Sequence, residues 1–164
     1  MNDDNTRIQK YPVPMRRKSA ARIASVQFIF QRLFVEAELE VTLADYLEFY
    51  AIDVAKEMHV QEIDISYFQQ LVLSCETNKM SLEDLISSSL SFGWSVKRLS
   101  KADFTILLVA ICELKHLIKT PAKVVIAEYI AIADAYNCDV GFINAILDKN
   151  AKSLRPDETL RSTK

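Results

Sequence analysis

The sequence contains very little glycine and proline. Glycine occurs only at positions 93 and 141 of the 164 residues, proline only at 12, 14, 121 and 156, and no Asn-Gly or Asp-Gly pair is present. Such pairs mark the tight turns of β-hairpins, so the pattern argues against a sheet built from hairpins. The phosphate-binding motifs GxxxxGK[ST] and GxGxxG and the nucleophile motif GxSxG are also absent. Nucleotide hydrolysis and acyl transfer are therefore not expected.

Cysteine and histidine are scarce as well. The three cysteines, at positions 75, 112 and 138, are odd in number and widely spaced, so neither a disulfide framework nor a CxxC metal pair is indicated. His59 and His116 have no partner at metal-ligand spacing, and no metal or other cofactor is predicted. No apolar run reaches the roughly 18 residues of a membrane helix, and the N-terminus shows no signal-peptide core. A cytoplasmic protein is expected.

Hydrophobic residues make up 50% of the sequence and charged residues 26%, which is the composition expected of one folded domain. The net charge of −2 is unevenly distributed. Residues 1–22 carry six basic side chains against Asp3 and Asp4, so this segment is +4 and the remainder is −6. A basic end attracts nucleic acid, an anionic membrane or an acidic protein, or is simply solvated.

Apolar residues recur every three or four positions along most of the chain, which predicts an all-α fold of about seven helices. Residues 1–15 are predicted to form a flexible basic arm, residues 16–155 the helical domain and residues 156–164 a frayed tail. From helical periodicity and capping residues, we predict helices from about Ser19, Thr42, Asp64, Ser81, Ser100, Pro121 and Asp139. Residues 106–112 are apolar on every side, which is typical of a central helix.

Two carboxylates lie within apolar helical segments. Glu113 and Glu128 each need a partner if they are buried, and either is in principle a catalytic acid or base. No second catalytic group is predicted near them, so a structural role is favoured. The sequence therefore predicts a protein that is not an enzyme.

Four segments carry a family resemblance. Residues 16–31 form an arginine-rich start that leads into an Ala…Gln helix, and the segments 110–114, 121–129 and 142–149 follow in order. Together they resemble the NusB family of bacterial transcription antitermination factors, over about residues 16–155. This resemblance implies an all-helical fold of two subdomains. It also implies a non-enzymatic factor that binds single-stranded boxA RNA of ribosomal RNA operons together with NusE, a small-subunit ribosomal protein, and thereby modifies elongation by RNA polymerase.

The resemblance also assigns residues. The matching positions for RNA binding are Arg16, Arg17, Lys18, Arg22, Gln27, Phe142 and Asn144. The positions that face NusE in the family are Phe30, where Tyr is usual, and Asp103, where Glu is frequent. The flexible segment from Arg16 to Lys18 is expected to contribute most, through contacts with phosphates.

Several alternatives stay open. Arg22 is alternatively a structural residue, and Phe142 and Asn144 are alternatively a core phenylalanine and a capping asparagine. Ala127 and Gly141 depart from the family pattern, which has Asn and a basic residue there. For function, the alternatives are a stand-alone helical adaptor whose basic arm meets acidic protein, and an RNA-binding partner of a ribosomal RNA methyltransferase.

Overall fold

The computed structural model describes residues 8–161, and within this range the chain is helical with no β-strand. The helices are α1 Val13–Arg32, α2 Leu39–Phe49, α3 Ala51–Glu57, α4 Ile65–Thr77, α5 Lys79–Ser89, α6 Lys101–His116, α7 Ala122–Ala135, α8 Val140–Leu154 and α9 Pro156–Arg161, with a short 3-10 helix at Val96–Arg98. The predicted all-α class is confirmed. Among these helices, none is both long enough and apolar enough to cross a membrane.

The chain divides into two compact units, one up to Val72 and one from Leu73. In unit 1, α3 packs against both α1 and α2. Three buried rings from α1, α2 and α4 meet in its core: Phe28, Tyr46 and Phe68, whose centroids lie 5.4–5.9 Å apart. Edge-to-face and offset-stacked pairs at these separations are favourable beyond the apolar area that they bury. This ring cluster fixes α1 against the other helices of the unit.

In unit 2, α6 is the central helix, packed against α5, α7 and α8. Every residue from Phe104 to Leu114 is buried, as the run of apolar residues predicted. The carboxylate of Glu113 is fully buried there and accepts a hydrogen bond from the hydroxyl of Tyr129, at 2.7 Å between the oxygens. Glu113 therefore has the satisfied, structural environment that the sequence favoured.

The end of α6 is closed by a buried arginine. The guanidinium of Arg155 donates to the backbone carbonyls of Leu114 (2.7 Å) and Thr120 (2.5 Å), and it pairs with Glu158 at 3.2 Å. The last carbonyls of a helix lack partners within the helix, and a buried end needs them. Arg155 supplies such partners. From the sequence alone, this residue is interpreted only as the end of the last predicted helix.

Several predicted helix boundaries are wrong. The first helix begins at Val13 and not at Ser19, because Pro12 and Pro14 lie at its start, where a missing N–H costs nothing and φ is already helical. Thr42 does not cap α2, since its hydroxyl donates to the carbonyls of Glu38 and Leu39 inside the helix. The second predicted helix is in fact two, interrupted at Tyr50.

Both predicted tails differ from expectation in part. Residues 13–15, which were assigned to the arm, form the first turn of α1, and residues 156–161 form α9 where fraying was expected. A proline at the first position of a helix starts α9 readily. The rest of the two predicted tails, residues 1–7 and 162–164, lies outside the described residues.

Candidate nucleic-acid interface

The first turns of α1 carry the predicted arginines, and both are held by the loop after α3. Arg16 donates to the backbone carbonyls of Tyr11 (2.9 Å), Met58 (3.2 Å) and His59 (2.5 Å). Arg17 forms an ion pair with Glu62, with 2.7 Å between nitrogen and oxygen. The sequence placed these arginines in a flexible segment, and that prediction is wrong for the backbone, which is helical.

The loop can offer carbonyls to Arg16 because of how α3 ends. His59 adopts a left-handed conformation with φ of 52°, and the amides of His59 and Val60 donate back to the carbonyls of Lys56 and Ala55. This pair of bonds is a Schellman motif, which turns the chain sharply after the helix. The turn exposes the carbonyls of Met58 and His59, and a guanidinium, with five N–H donors, contacts both while keeping donors for other groups.

The next two cations of α1 share one aromatic neighbour. The ammonium of Lys18 lies 4.8 Å from the ring centroid of Tyr67, and the guanidinium carbon of Arg22 lies 5.4 Å from it. Both distances are within cation–π range. Arg22 is only 2% exposed, whereas Lys18 is half-buried. The structure thus gives Arg22 the buried environment of the structural alternative, and its contact with RNA stays a prediction.

Gln27 and Phe30 lie further along α1. The amide oxygen of Gln27 accepts a hydrogen bond from the hydroxyl of Tyr46 at 2.8 Å, which links it to the ring cluster of unit 1. Phe30 is exposed, and its ring lies 5.3 Å from that of Phe34. An exposed aromatic pair of this kind suits a protein partner, so the predicted role of Phe30 stays open.

Asp103 lies at the start of α6. The Ser100 hydroxyl caps this helix by accepting from the amide of Asp103, as its sequence spacing predicted. The pKa of the Cys138 thiol is raised to about 11. The largest cause is burial of the thiol, and a hydrogen bond with Asp103 and the negative charge of that carboxylate add to it. The Asp103 carboxylate is therefore adjacent to the α7–α8 loop, and its predicted contact with NusE remains a prediction.

Alkylation of Cys138 tests this placement. Because only the thiolate reacts, the rate with iodoacetamide is expected to rise with pH toward a midpoint of about 11. Asp103→Asn removes the negative charge, so the midpoint should fall toward the ordinary thiol value and the rate at about pH 8 should increase. Cys138→Ser gives the background from the buried Cys75 and Cys112. Identical pH profiles for the parent and Asp103→Asn would show that the carboxylate does not act on this thiol.

Phe142 and Asn144 both lie in the first turns of α8, whose N-cap is Asp139, as predicted. Phe142 is half-buried, with its ring centroid 6.5 Å from that of Trp94, while Asn144 is exposed. Residues two apart on a helix do not face each other. The two side chains therefore belong to different sides of α8 and do not form one contact face.

The sequence prediction did not include Trp94, which lies beside Phe142, or Arg98, which lies beside Trp94. Trp94 is 51% exposed, and the guanidinium carbon of Arg98 lies 4.8 Å from its ring centroid. The available signal was an isolated tryptophan next to basic residues, but Gly93-Trp94 was interpreted only as the end of a helix. Within residues 8–161, no three His, Cys, Asp or Glu side chains are placed to hold a metal ion.

Comparison with solved structures defines the class of protein. The chain has the fold of T. maritima NusB, with a TM-score of 0.62, 28% identity, and 91% of this chain and 97% of that chain covered. It also matches the fold of a NusB chain solved with NusE and dsRNA, with a TM-score of 0.66, 20% identity, and 85% and 98% covered. The molecule is thus an all-helical protein with the NusB fold.

Sequence comparison places the chain more narrowly. It belongs to the NusB family, whose match spans residues 19–152. Transcription antitermination protein NusB of Rhodopseudomonas palustris is 28% identical over 148 residues, which cover 89% of this chain and 85% of the relative. That of Nitrobacter hamburgensis is 29% identical over 147 residues, with 88% and 92% covered. The resemblance found in the sequence is confirmed.

Proposed function

We propose that this chain is a non-enzymatic RNA-binding antitermination factor that binds boxA RNA of ribosomal RNA operons together with NusE and so modifies RNA polymerase elongation. The observation that carries the proposal is the cluster of three partly accessible cations on the first helix of a NusB-family chain, Arg16, Arg17 and Lys18, with the buried Arg22 one turn further along. A NusB chain of the same fold has been solved with NusE and dsRNA, which supports NusE and an RNA as the classes of partner.

The electrostatics of α1 suit an RNA backbone. Its first turn contains no acidic residue, and the three cations from Arg16 to Lys18 are partly accessible to solvent. Lysine and arginine that neutralise phosphates release condensed counterions, so binding of this kind weakens steeply with salt. Glu62, paired with Arg17, is a carboxylate that partly offsets this positive charge. The Arg17–Glu62 pair therefore offers a matched test of the surface.

Arg17→Ala is expected to weaken binding of a boxA-like single-stranded RNA and to lower the salt dependence of the affinity by roughly 0.7 in log–log slope, the value for one lost phosphate contact. Glu62→Gln breaks the same ion pair but keeps the cation, so RNA affinity should be unchanged or higher. Exposed ion pairs contribute only about 0–1 kcal/mol, so both variants should stay folded by circular dichroism. Fluorescence anisotropy of labelled RNA measures the affinities.

The two variants also distinguish a direct contact from an indirect one. If Arg17→Ala and Glu62→Gln weakened RNA binding equally, the ion pair would act through the fold and Arg17 would not contact RNA. The same titrations with NusE present should show tighter binding. If the folded parent chain bound no RNA with or without NusE, the proposal would fail in favour of a helical adaptor for acidic protein.

A further inference from the structure

We propose that Trp94, with Arg98 beside it and Phe142 as a neighbouring wall, is a stacking site for one unpaired base of the bound RNA. The inference rests on the proposed RNA-binding function and assigns to it a site in unit 2. Trp94 and Arg98 belong to no segment on which the family resemblance was built. Three features of the molecule support the site: the exposure of the indole, the charge around it and the groups that hold it.

The backbone around Trp94 holds the indole outward. Residues 91–94 form a turn in which the amide of Trp94 donates to the carbonyl of Ser91 at 3.0 Å. Gly93 has φ of 85°, the conformation that a type II turn requires at its third position. Tryptophan is highly buried on average, yet half of the surface of Trp94 is exposed here even with two neighbours in contact. The turn thus presents an aromatic face that the unit itself leaves open.

The segment that contains Trp94 is basic. Residues 85–102 contain Lys97, Arg98 and Lys101 and no acidic residue. The carboxylate that lies closest in sequence to Phe142 is Asp139, and it is engaged in accepting the amide of Phe142 at the start of α8. A basic strip beside an exposed aromatic ring is the combination that binds single strands, because the cations follow the phosphates while the ring stacks a base. An apolar protein partner would not need the cations.

Arg98 and Phe142 both lie close to the indole ring. Arg98 donates to the carbonyl of Gly93 at 3.1 Å, which fixes its guanidinium 4.8 Å from the ring centroid of Trp94. Both an indole and a guanidinium plane are surfaces on which unstacked bases pack. The ring centroid of Phe142 lies 6.5 Å from that of Trp94, and the two ring planes are tilted by 38°. Phe142 therefore borders the indole but is not stacked on it. An unpaired base therefore has an aromatic face, a cation and a wall at one place.

The chain contains a single tryptophan, so its fluorescence reports this site directly. Full-length protein is titrated with a boxA-like single-stranded RNA while the fluorescence of Trp94 is recorded. A parallel titration follows the anisotropy of labelled RNA. We expect quenching that saturates at the same RNA concentration as the anisotropy. Binding seen by anisotropy with unchanged tryptophan fluorescence would overturn the stacking site and leave the proposed function standing, whereas no binding at all would overturn both.

Variants separate stacking from a role in folding. Trp94→Ala is expected to weaken RNA binding by at least about fivefold, and Trp94→Phe, which keeps an aromatic face, should retain most of the affinity. Met80→Ala removes another exposed apolar side chain of unit 2 and should leave the affinity unchanged. The parent protein and Trp94→Ala are then titrated with RNAs that each lack one base. At one position, removing the base should weaken binding to the parent as much as Trp94→Ala does, and Trp94→Ala should not weaken binding to that RNA any further. If Trp94→Ala weakened every such RNA equally, no base would be stacked there.

Discussion

Replacing Arg155 by alanine is expected to lower the free energy of unfolding by about 3–5 kcal/mol, the cost of removing one partner from a buried charged network. The side chain is 5% exposed and donates to the carbonyl of Leu114 in the last turn of α6 and to that of Thr120 in the following loop, so its loss removes the donor from acceptors that are wholly or partly buried. Each such acceptor costs about 1–3 kcal/mol. Urea denaturation followed by far-UV circular dichroism should show a lower midpoint with an unchanged slope.

Two variants of the same segment make this result specific. Arg155→Lys keeps the positive charge but lacks the planar fork, so it should recover only part of the stability. Lys152→Ala removes the exposed ion pair of Lys152 with Asp148 on α8, and it should change stability by no more than about 0.5 kcal/mol. A loss below about 1 kcal/mol for Arg155→Ala would mean that water or a shifted α9 replaces the guanidinium.

The second large effect is expected from Phe68→Ala in unit 1, at about 3–5 kcal/mol. Phe68 is fully buried, and its ring contacts those of Phe28 and Tyr46, so truncation removes two aromatic pairs and leaves a cavity in the centre of the unit. Phe49→Ala is the matched control, because Phe49 belongs to the same unit but is 61% exposed. That variant should differ from the parent by no more than about 0.5 kcal/mol.

Phe68→Ala has a second measurable consequence. The hydroxyl of Tyr46 donates to Gln27, so a looser ring cluster should also increase amide hydrogen exchange along α1. Equal denaturation midpoints for Phe68→Ala and Phe49→Ala would contradict the assignment of this core. Faster exchange in α1 for the Phe68 variant alone would support it.

Three of the helix starts that were predicted correctly depend on contacts three residues apart. Asp64, Ser100 and Asp139 each accept a backbone amide three positions later, so the residue types in a short window decide the outcome. Thr42 has the same spacing to Asp45 but lies inside α2, because the helix already starts at Leu39. Local capping signals thus identify a possible start without excluding an earlier one.

The environment of the cations was not predictable in the same way. The sequence placed Arg16 and Arg17 in a flexible segment ahead of the first helix. Their partners at positions 58 to 63 are more than forty residues away along the chain. Arg22 looks like its basic neighbours in the sequence, and only the packing of α1 near Tyr67 shows that it is buried. Trp94 was missed because Gly93-Trp94 was interpreted as the end of a helix, and the sequence did not show that the indole is exposed.

The contacts of Arg16 and Arg17 with the loop after α3 change the entropy of any association at this surface. A long side chain that is immobilised only on binding costs about 0.5–1.5 kcal/mol. Here the backbone of these residues is already helical, and both guanidinium groups are already oriented by the protein. A polyanion that binds at α1 therefore contacts preorganised cations. Most of the entropic cost of ordering these side chains has already been incurred when the protein folds.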